Sequence, residues 1–340
     1  MKTSAIAIIA ALAMAGTAQA ADVVLKVHHF LPAVAPIQTD VLEPWAAAIE
    51  EQSGGRIDVE IYPAMQLGGK PPQLFDQARD GIVDISWTLL GYTPGRFPIS
   101  EVFELPFMAG TAAETTAALQ EFQAKYMGDE LRGVHPLLIH APAAYKFHMK
   151  DETVASMADL AGLKIRAPSR TMTEGLNALG ATAVGMPVPE VPQAMTTGVI
   201  DGAVIPWEVT GALRLNELAK THTEIGQENG GIATSVMALV MNQSSYDRLP
   251  DDLRQVIDAN SGEALAAMAG AAFDAVESRE RQAAIDGGAE ITIIPEADLG
   301  PWKAATEGVV NDWVASMDKA GLDGAAMLAD ARAMLANAGQ

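Results

Sequence analysis

Residues 163–207 constrain the fold more than any other stretch. The segment opens with Leu163-Lys164-Ile165-Arg166-Ala167-Pro168, a short apolar run with one arginine at its end. A small helical pattern over 171–179 follows and stops at Gly180. Two more short apolar runs come next, separated by 190–197. The last of them, 200–207, ends Asp201-Gly202-Ala203-Val204-Ile205-Pro206-Trp207-Glu208. Strand, helix, strand, helix, strand on this scale predicts a parallel sheet covered by helices. Such sheets bind ligands beyond the carboxyl ends of their strands, so an arginine at a strand end is placed to hold an anion.

The rest of the chain reads in the same units. Residues 23–29 alternate as an opening strand, and 37–52 read as an amphipathic helix stopped by Gly54-Gly55. A strand over 56–62, a helix over 71–79 and a buried strand over 83–87 complete a β-α-β-α-β unit. The Pro- and Gly-rich stretch 91–107 predicts an ordered loop, 112–127 a helix, and 137–140 and 144–150 two short strands. The crossing into a second lobe is expected at about Ala143, and a further helix is expected after Trp207. The apolar run 232–241 is expected to return to the first lobe. From Pro250 one helical pattern runs over 251–284. A helix of about 34 residues spans about 50 Å at 1.5 Å per residue, more than one lobe, so it is expected to brace both. Residues 290–294 predict a strand, and the remainder is helical.

A chain of this length is too long for one ordinary core. The expected fold is α/β, a two-lobed clamshell with a long bracing helix. Residues 21–143 and 232–271 form the first lobe in this reading, and 144–231 and 272–340 the second.

Residues 1–20 predict a secretory signal peptide. Lys2 gives the positive start, 6–15 are apolar, and Ala18-Gln19-Ala20 fits a cleavage site. The apolar part is too short for a membrane span, so the mature chain is expected in the periplasm. The absence of cysteine rules out disulfides and lipid attachment through an N-terminal Cys, and leaves stability to packing. The formal charge of −21 argues against nucleic acid as a partner, because phosphate binding needs a basic surface. It also requires any anionic ligand to be held by locally placed cations against the global field.

Catalytic patterns are absent. There is no Gly-x-Ser-x-Gly elbow, no phosphate-cradling loop and no cysteine nucleophile. His28-His29 invites a metal reading, but neighbours on a strand point to opposite faces and cannot chelate one ion together. No metal and no cofactor are expected; His29 is expected to face the cleft as a hydrogen-bond donor. Aromatics make up only 5% of the chain, yet Phe30, Trp87, Tyr92 and Trp207 fall near the expected site loops. They offer flat apolar walls, with a polar handle on Trp and Tyr. For Arg166 two readings stay open on the residues alone: a ligand-carboxylate fork or a salt bridge between lobes.

The motifs Leu160-Ala161-Gly162-Leu163-Lys164-Ile165-Arg166, Gly180-Ala181, Pro187-Val188-Pro189-Glu190-Val191 and Gly198-Val199-Ile200-Asp201-Gly202 occur in one order and spacing. The set resembles the extracytoplasmic solute-binding subunit of tripartite ATP-independent periplasmic (TRAP) transporters, along the whole mature chain. The resemblance implies a clamshell that closes on an organic acid and delivers it to membrane permease subunits, without catalysis. It implies that Arg166 holds the ligand carboxylate, and that Lys146, as in some members, supplies a second cation. Arg170, four residues on, reads as a surface or lobe-bridging residue.

Departures from the sialic-acid-type pattern narrow the ligand. Where such members carry a polar amide, this chain has Val204-Ile205-Pro206-Trp207. It has Thr88-Leu89 in place of an acidic side chain, and Val188 in place of an aromatic. Leu89, Val188 and Ile205 therefore make the pocket apolar, where sugar hydroxyls left unpaired would each cost about 1–3 kcal/mol. The expected ligand is a small aromatic monocarboxylate, benzoate- or aryl-oxoacid-like. A C4-dicarboxylate with Lys146 on its second carboxylate is the first alternative. A periplasmic α/β enzyme acting on a carboxylate substrate, or a sensor module, are the others. The protein is expected to be a monomer.

Overall fold

The structure, a computed structural model, describes residues 21–228 and 230–339; the expected signal peptide lies outside them. Leu25 and Val27 form the buried face of β1 (Val23–His28), at the two-residue period of a strand. A wide helical turn over Ile37–Leu42 leads into α1 (Glu43–Gln52). β2 (Ile57–Tyr62), α2 (Leu74–Arg79) and β3 (Ile85–Leu89) follow, and β1 pairs parallel with both strands. Two short 3-10 helices, Leu90–Tyr92 and Ser100–Glu104, fall in the expected loop. α3 (Ala112–Tyr126) starts on a capping box in which Thr111 accepts from the Glu114 amide and the Glu114 side chain returns the bond. β4 (Val134–His140) leads to the crossing.

The second sheet is built from β5 (Lys146–Met149), β6 (Lys164–Ala167), α4 (Arg170–Ala178), β7 (Thr182–Gly185), α5 (Val191–Thr196) and β8 (Gly202–Ile205). Gly202 permits the close approach of β5: a Cβ there would stand 2.3 Å from Met149 Sδ and 2.7 Å from the His148 carbonyl oxygen. The helix expected after Trp207 does not form. Single 3-10 turns at Trp207–Val209 and Leu215–Glu217 are followed by a strand, β9 (Thr221–Gly226). β-branched Thr221, Thr223 and Ile225 favour the extended chain, and both threonine hydroxyls donate to carbonyls, of Glu152 and Val154.

The chain returns through β10 (Met237–Asn242), which lies between β3 and β4. After α6 (Gln243–Asp247), the helical stretch from Asp251 to Asp286 is present but broken into α7 (Asp251–Ala259) and α8 (Glu263–Asp286). Gly262 has φ 59° and ψ −131°, outside the helical region, and its amide donates to Leu137 of β4. Asn260 and Ser261 turn their side chains back onto the carbonyls of Val256 and Ile257, which caps α7 rather than continuing it. At 24 residues α8 is still about 36 Å long and packs on elements of both sheets. Its Asp274 accepts from the amides of Ala112 and Ala113 in the first turn of α3.

β11 (Glu290–Pro295) pairs with β9, and α9 (Gly300–Lys319) and α10 (Gly324–Ala338) end the described chain. The strand orders are β2-β1-β3-β10-β4 and β11-β9-β5-β8-β6-β7. Each sheet is parallel except for one strand, β10 in the first and β5 in the second. These are the strands entered by the two direct crossings, β4 to β5 and β9 to β10, whereas β11 is reached through α8. Arriving at the carboxyl ends of the parallel strands, each must run against them. The two crossings lie side by side: the Tyr145 amide donates to Ala233 at 2.7 Å and the Ile232 amide to Tyr145 at 3.0 Å.

The C-terminal helices depart from the expectation for 272–340. Val309, Trp313 and Met317 of α9 and Met327, Leu328, Ala331 and Met334 of α10 share one apolar cluster with Phe103, Phe122, Ile139 and Val240 of the first lobe. Only β11 and the start of α9, through Trp302, stay with Phe147 in the second-sheet core. The apolar stripes of α9 and α10 need partner surfaces: α10 packs on α3, and α9 packs on α10 and on α4. Among the described residues no helix is long and apolar enough to cross a membrane.

Candidate functional site

Arg166 is the third residue of β6 and pairs with Ala203 of β8, at 1% exposure. Nε donates to the Met186 carbonyl at 3.0 Å and Nη1 to the Val204 carbonyl at 3.2 Å. These two bonds fix the plane of the guanidinium. Nη2 is buried with no partner. No carboxylate among the described residues pairs with Arg166; the bridge between lobes is made by Arg170, which pairs with Glu101 and, at 3.0 Å, with Glu174. A buried charged donor without an acceptor is costly, and an anion at Nη2 would remove that cost.

Seven of the expected site residues, Phe30, Trp87, Leu89, Tyr92, Arg166, Val188 and Ile205, line one cavity between the two sheets. Trp87 and Leu89 share a face of β3 by strand periodicity. Phe30 stacks on Trp87 with centroids 4.9 Å apart and meets Tyr92 edge-on at 5.4 Å. Trp87 Nε1 donates to His140 Nε2 at 2.8 Å, and His140 stacks on Phe273 of α8 at 5.2 Å. Burial pushes the His140 pKa down to about 3, so this wall is neutral at physiological pH. Tyr92 Oη accepts from the Val188 amide at 2.9 Å and so ties the two sides together. Its phenol pKa is raised, mainly by burial, with nearby Arg166 acting the other way.

Volume and chemistry select different places. Grooves of about 590 and 820 Å³ lie elsewhere, against about 40 Å³ for this cavity. The larger grooves are edged by carboxylates, Glu114, Asp274 and Glu296 in one and Glu121 and Glu263 in the other. Of these three, only the small cavity presents a buried cation with an open donor, which makes it the candidate anion site. Admitting a ligand there requires the two sides to part.

Three expected residues stand outside it. Lys146 is fully buried at the start of β5, where Nζ donates to the Ala144 carbonyl at 2.7 Å and pairs with Glu277 of α8. Its charge is already matched, so it is not a second anion contact. Trp207 is turned away by the 3-10 turn that follows Pro206; its Nε1 donates to Glu224 at 3.1 Å and its ring meets His148 edge-on. His29 lies behind the wall, bonded to Gln38 at 3.0 Å and edge-on to Trp87 at 6.3 Å. Burial lowers its pKa to about 4.

The sequence reading missed Leu31, Pro142, Tyr145, Pro206, Glu208, Val209, Met237 and Phe273, which complete the lining. Most were within reach: Tyr145 and Met237 open the two antiparallel strands, and Met237 pairs with Leu89. Glu208 closes the motif that includes Ile205. Its amide donates to Glu277 at 2.9 Å, and its Oε2 is buried without a partner. Burial first, and then the neighbouring Glu277, hold the Glu208 pKa well above the usual carboxylate range. Phe273 gave no signal, being a lone aromatic in an Ala-rich helix.

The profile of the bacterial extracellular solute-binding protein family 7 matches residues 27–316. The fold matches a TRAP solute-binding protein from a marine metagenome, described as specific for aromatic acids and bound to metahydroxyphenylacetate. The two are 45% identical with a TM-score of 0.91, covering 94% of this chain and 100% of that one. A TRAP solute-binding protein from Rhodoferax ferrireducens with copurified benzoate is 41% identical, with a TM-score of 0.90 over 93% and 98% of the two chains. The C4-dicarboxylate-binding periplasmic protein of Rhodobacter capsulatus is 27% identical over 72% of each chain. The chain belongs to the bacterial extracellular solute-binding protein family 7 and is a TRAP solute-binding protein.

Proposed function

We propose that this chain binds a small aromatic monocarboxylate in the cavity at Arg166 and hands it, unaltered, to its membrane permease subunits. The observation that carries this reading is the buried Arg166 guanidinium, with Nη2 open, set into walls made by Phe30, Trp87, Leu89, Tyr92, Val188 and Ile205. The charges fit a monoanion. Lys146 and Glu277 neutralise each other, burial and the neighbouring Glu277 disfavour the charged form of Glu208, and Arg166 has no carboxylate partner among the described residues. Burying an aromatic ring removes about 150 Å² or more from water, at about 25 cal/mol per Å², and apolar walls collect that gain. The aromatic acids named for two solved relatives above 40% identity support the same ligand class.

The protein works in the periplasm as a monomer in this reading. The lobes are the two sheets with their helices, 21–143 and 232–271 with α10 and the end of α9 on one side, and 144–231 with β11 and the start of α9 on the other. A second reading, a C4-dicarboxylate, is favoured by the Rhodobacter relative but lacks a free second cation. A thermal-shift panel of aromatic acids, aliphatic mono- and dicarboxylates and sugar acids tests both. Stabilisation by benzoate-like acids is expected; stabilisation by succinate alone would overturn the aromatic reading and leave the family assignment intact.

A further inference from the structure

We infer that Glu208 is a second recognition group, one that reads a hydroxyl on the ring of the acid whose carboxylate Arg166 holds. The inference rests on the aromatic-acid reading and narrows it to hydroxylated aromatic carboxylates. Among the described lining residues, two carry buried side-chain atoms without a partner: Arg166 Nη2 and Glu208 Oε2. One calls for an anion. The other calls for a group that can donate or accept a hydrogen bond, because a buried carboxyl oxygen left unpaired is costly.

The two groups are held at one strand end. Arg166 Nη1 donates to the carbonyl of Val204 in β8, and Glu208 lies four residues further on. Between them the wall is hydrocarbon: Ile205 and Pro206 from the same segment, and Phe273 from α8. Glu208 is positioned rather than loose. Its amide donates to Glu277 Oε2, and the other oxygen of Glu277 is held by Lys146.

The same neighbours decide its charge. Glu277 from α8 and Lys146 from β5 are the charged groups that act on it; burial and Glu277, through its charge and a side-chain hydrogen bond, raise its pKa, and Lys146 offsets them in part. An upward shift disfavours the carboxylate that would repel the incoming anion, and the carboxyl form offers both a donor and an acceptor. An unsubstituted ring leaves Glu208 unpaired, whereas a ring hydroxyl pairs it. Sites built to bond a hydroxyl reject the analogue that lacks it more strongly than apolar sites reject an added hydroxyl.

The test is titration calorimetry with benzoate, 3-hydroxybenzoate and 4-hydroxybenzoate on the purified protein and three variants. For the native protein at least one hydroxybenzoate is expected to bind about tenfold more tightly than benzoate. In Glu208→Met the ratio is expected to fall to within about twofold, and a cooperative thermal melt shows that the variant is folded. Glu208→Gln, with its own donor and acceptor, is expected to keep the preference. Should the Met variant fail to bind benzoate, Glu208→Leu takes its place.

A hydroxyl preference that survives in the apolar variant would overturn the role of Glu208. So would equal native affinities for benzoate and both hydroxybenzoates, with the aromatic-acid reading left standing. Absence of binding by any aromatic acid would overturn that reading and this inference with it.

Discussion

Lys146 and Glu277 form a fully buried ion pair that fastens β5 of the second sheet to α8, the helix shared by both lobes. The pair lies directly behind the cavity, since Glu277 also accepts from the Glu208 amide. Burial raises the Glu277 pKa, and the Lys146 ammonium acts against it. Removing one partner strands a charge in the interior, which costs about 3–5 kcal/mol, whereas removing both together is far cheaper. Lys146→Met and Glu277→Leu are each expected to lower stability by that order, and the double variant to recover most of the loss. Urea unfolding of the four proteins measures it; additive losses would show that the pair is not coupled.

Arg166→Ala is expected to weaken ligand binding by about 2–5 kcal/mol, or roughly 30-fold to several-thousand-fold. Arg166→Lys should lose most of the same affinity, because an ammonium cannot keep the carbonyls of Met186 and Val204 and still present a fork to the carboxylate. Calorimetry with benzoate decides this, and an unchanged dissociation constant in the Ala variant would remove Arg166 from the site.

The Arg170–Glu101 pair and the Tyr92–Val188 hydrogen bond both cross from one side to the other. Arg170 is 40% exposed at its side chain but Glu101 only 7%, so its loss leaves a buried carboxyl without its cation and lowers stability. Its other effect is on the angle between lobes. Arg170→Ala is expected to have a larger ligand-free radius of gyration than the native protein, and ligand should bring the two together. Identical scattering profiles for both, with and without ligand, would count against a clamshell motion.

Glu104 gives a pH dependence with a definite sign. Burial raises its pKa from 4.5 to about 7; Oε1 accepts from the Val236 amide at 3.2 Å and Oε2 has no partner. The folded state therefore holds this proton more tightly than the unfolded chain does. Its contribution to stability is complete below pH 4.5 and is lost as pH rises through 7. Glu104→Gln should match the native protein near pH 4.5 and exceed it at pH 8 by about 3 kcal/mol. Comparing the two cancels the opposite contribution of His29, His140 and His222, whose pKa values burial lowers. Thermal melts across that range check it; a constant difference would show that Glu104 does not titrate on unfolding.

What the sequence disclosed was local. The apolar runs at 23–29 and 163–167 announce strands because their burial pattern is set by neighbours in the chain, and the strand-end rule then places Arg166. What it hid was long-range. Lys146 was visible as a cation, but its partner Glu277 lies 131 residues away. β9 carries Thr, His and Glu where a strand pattern is sought in apolar residues; the threonines are satisfied by Glu152 and Val154 and Glu224 by Arg281. The break at Gly262 follows from a bond to β4, and the seating of α10 follows from α3 and that of α9 from α10 and α4; neither leaves a mark in periodicity.

The long helix has a mechanical consequence. Asp274 is held by α3 on the first side, while Glu277 and Arg281, one and two turns on, are held by Lys146 and Glu224 on the second. The boundary between the two bodies thus falls within a single turn of an unbroken helix, and Phe273, which lines the cavity, stands at that turn. No Gly or Pro lies between Phe273 and Asp286 to make a free joint. Rotation of one body against the other must flex α8 there, as a leaf spring clamped at both ends flexes at its middle. The lobe angle then has an elastic resting value, and a ligand pressed against Phe273 bears on the spring where it bends.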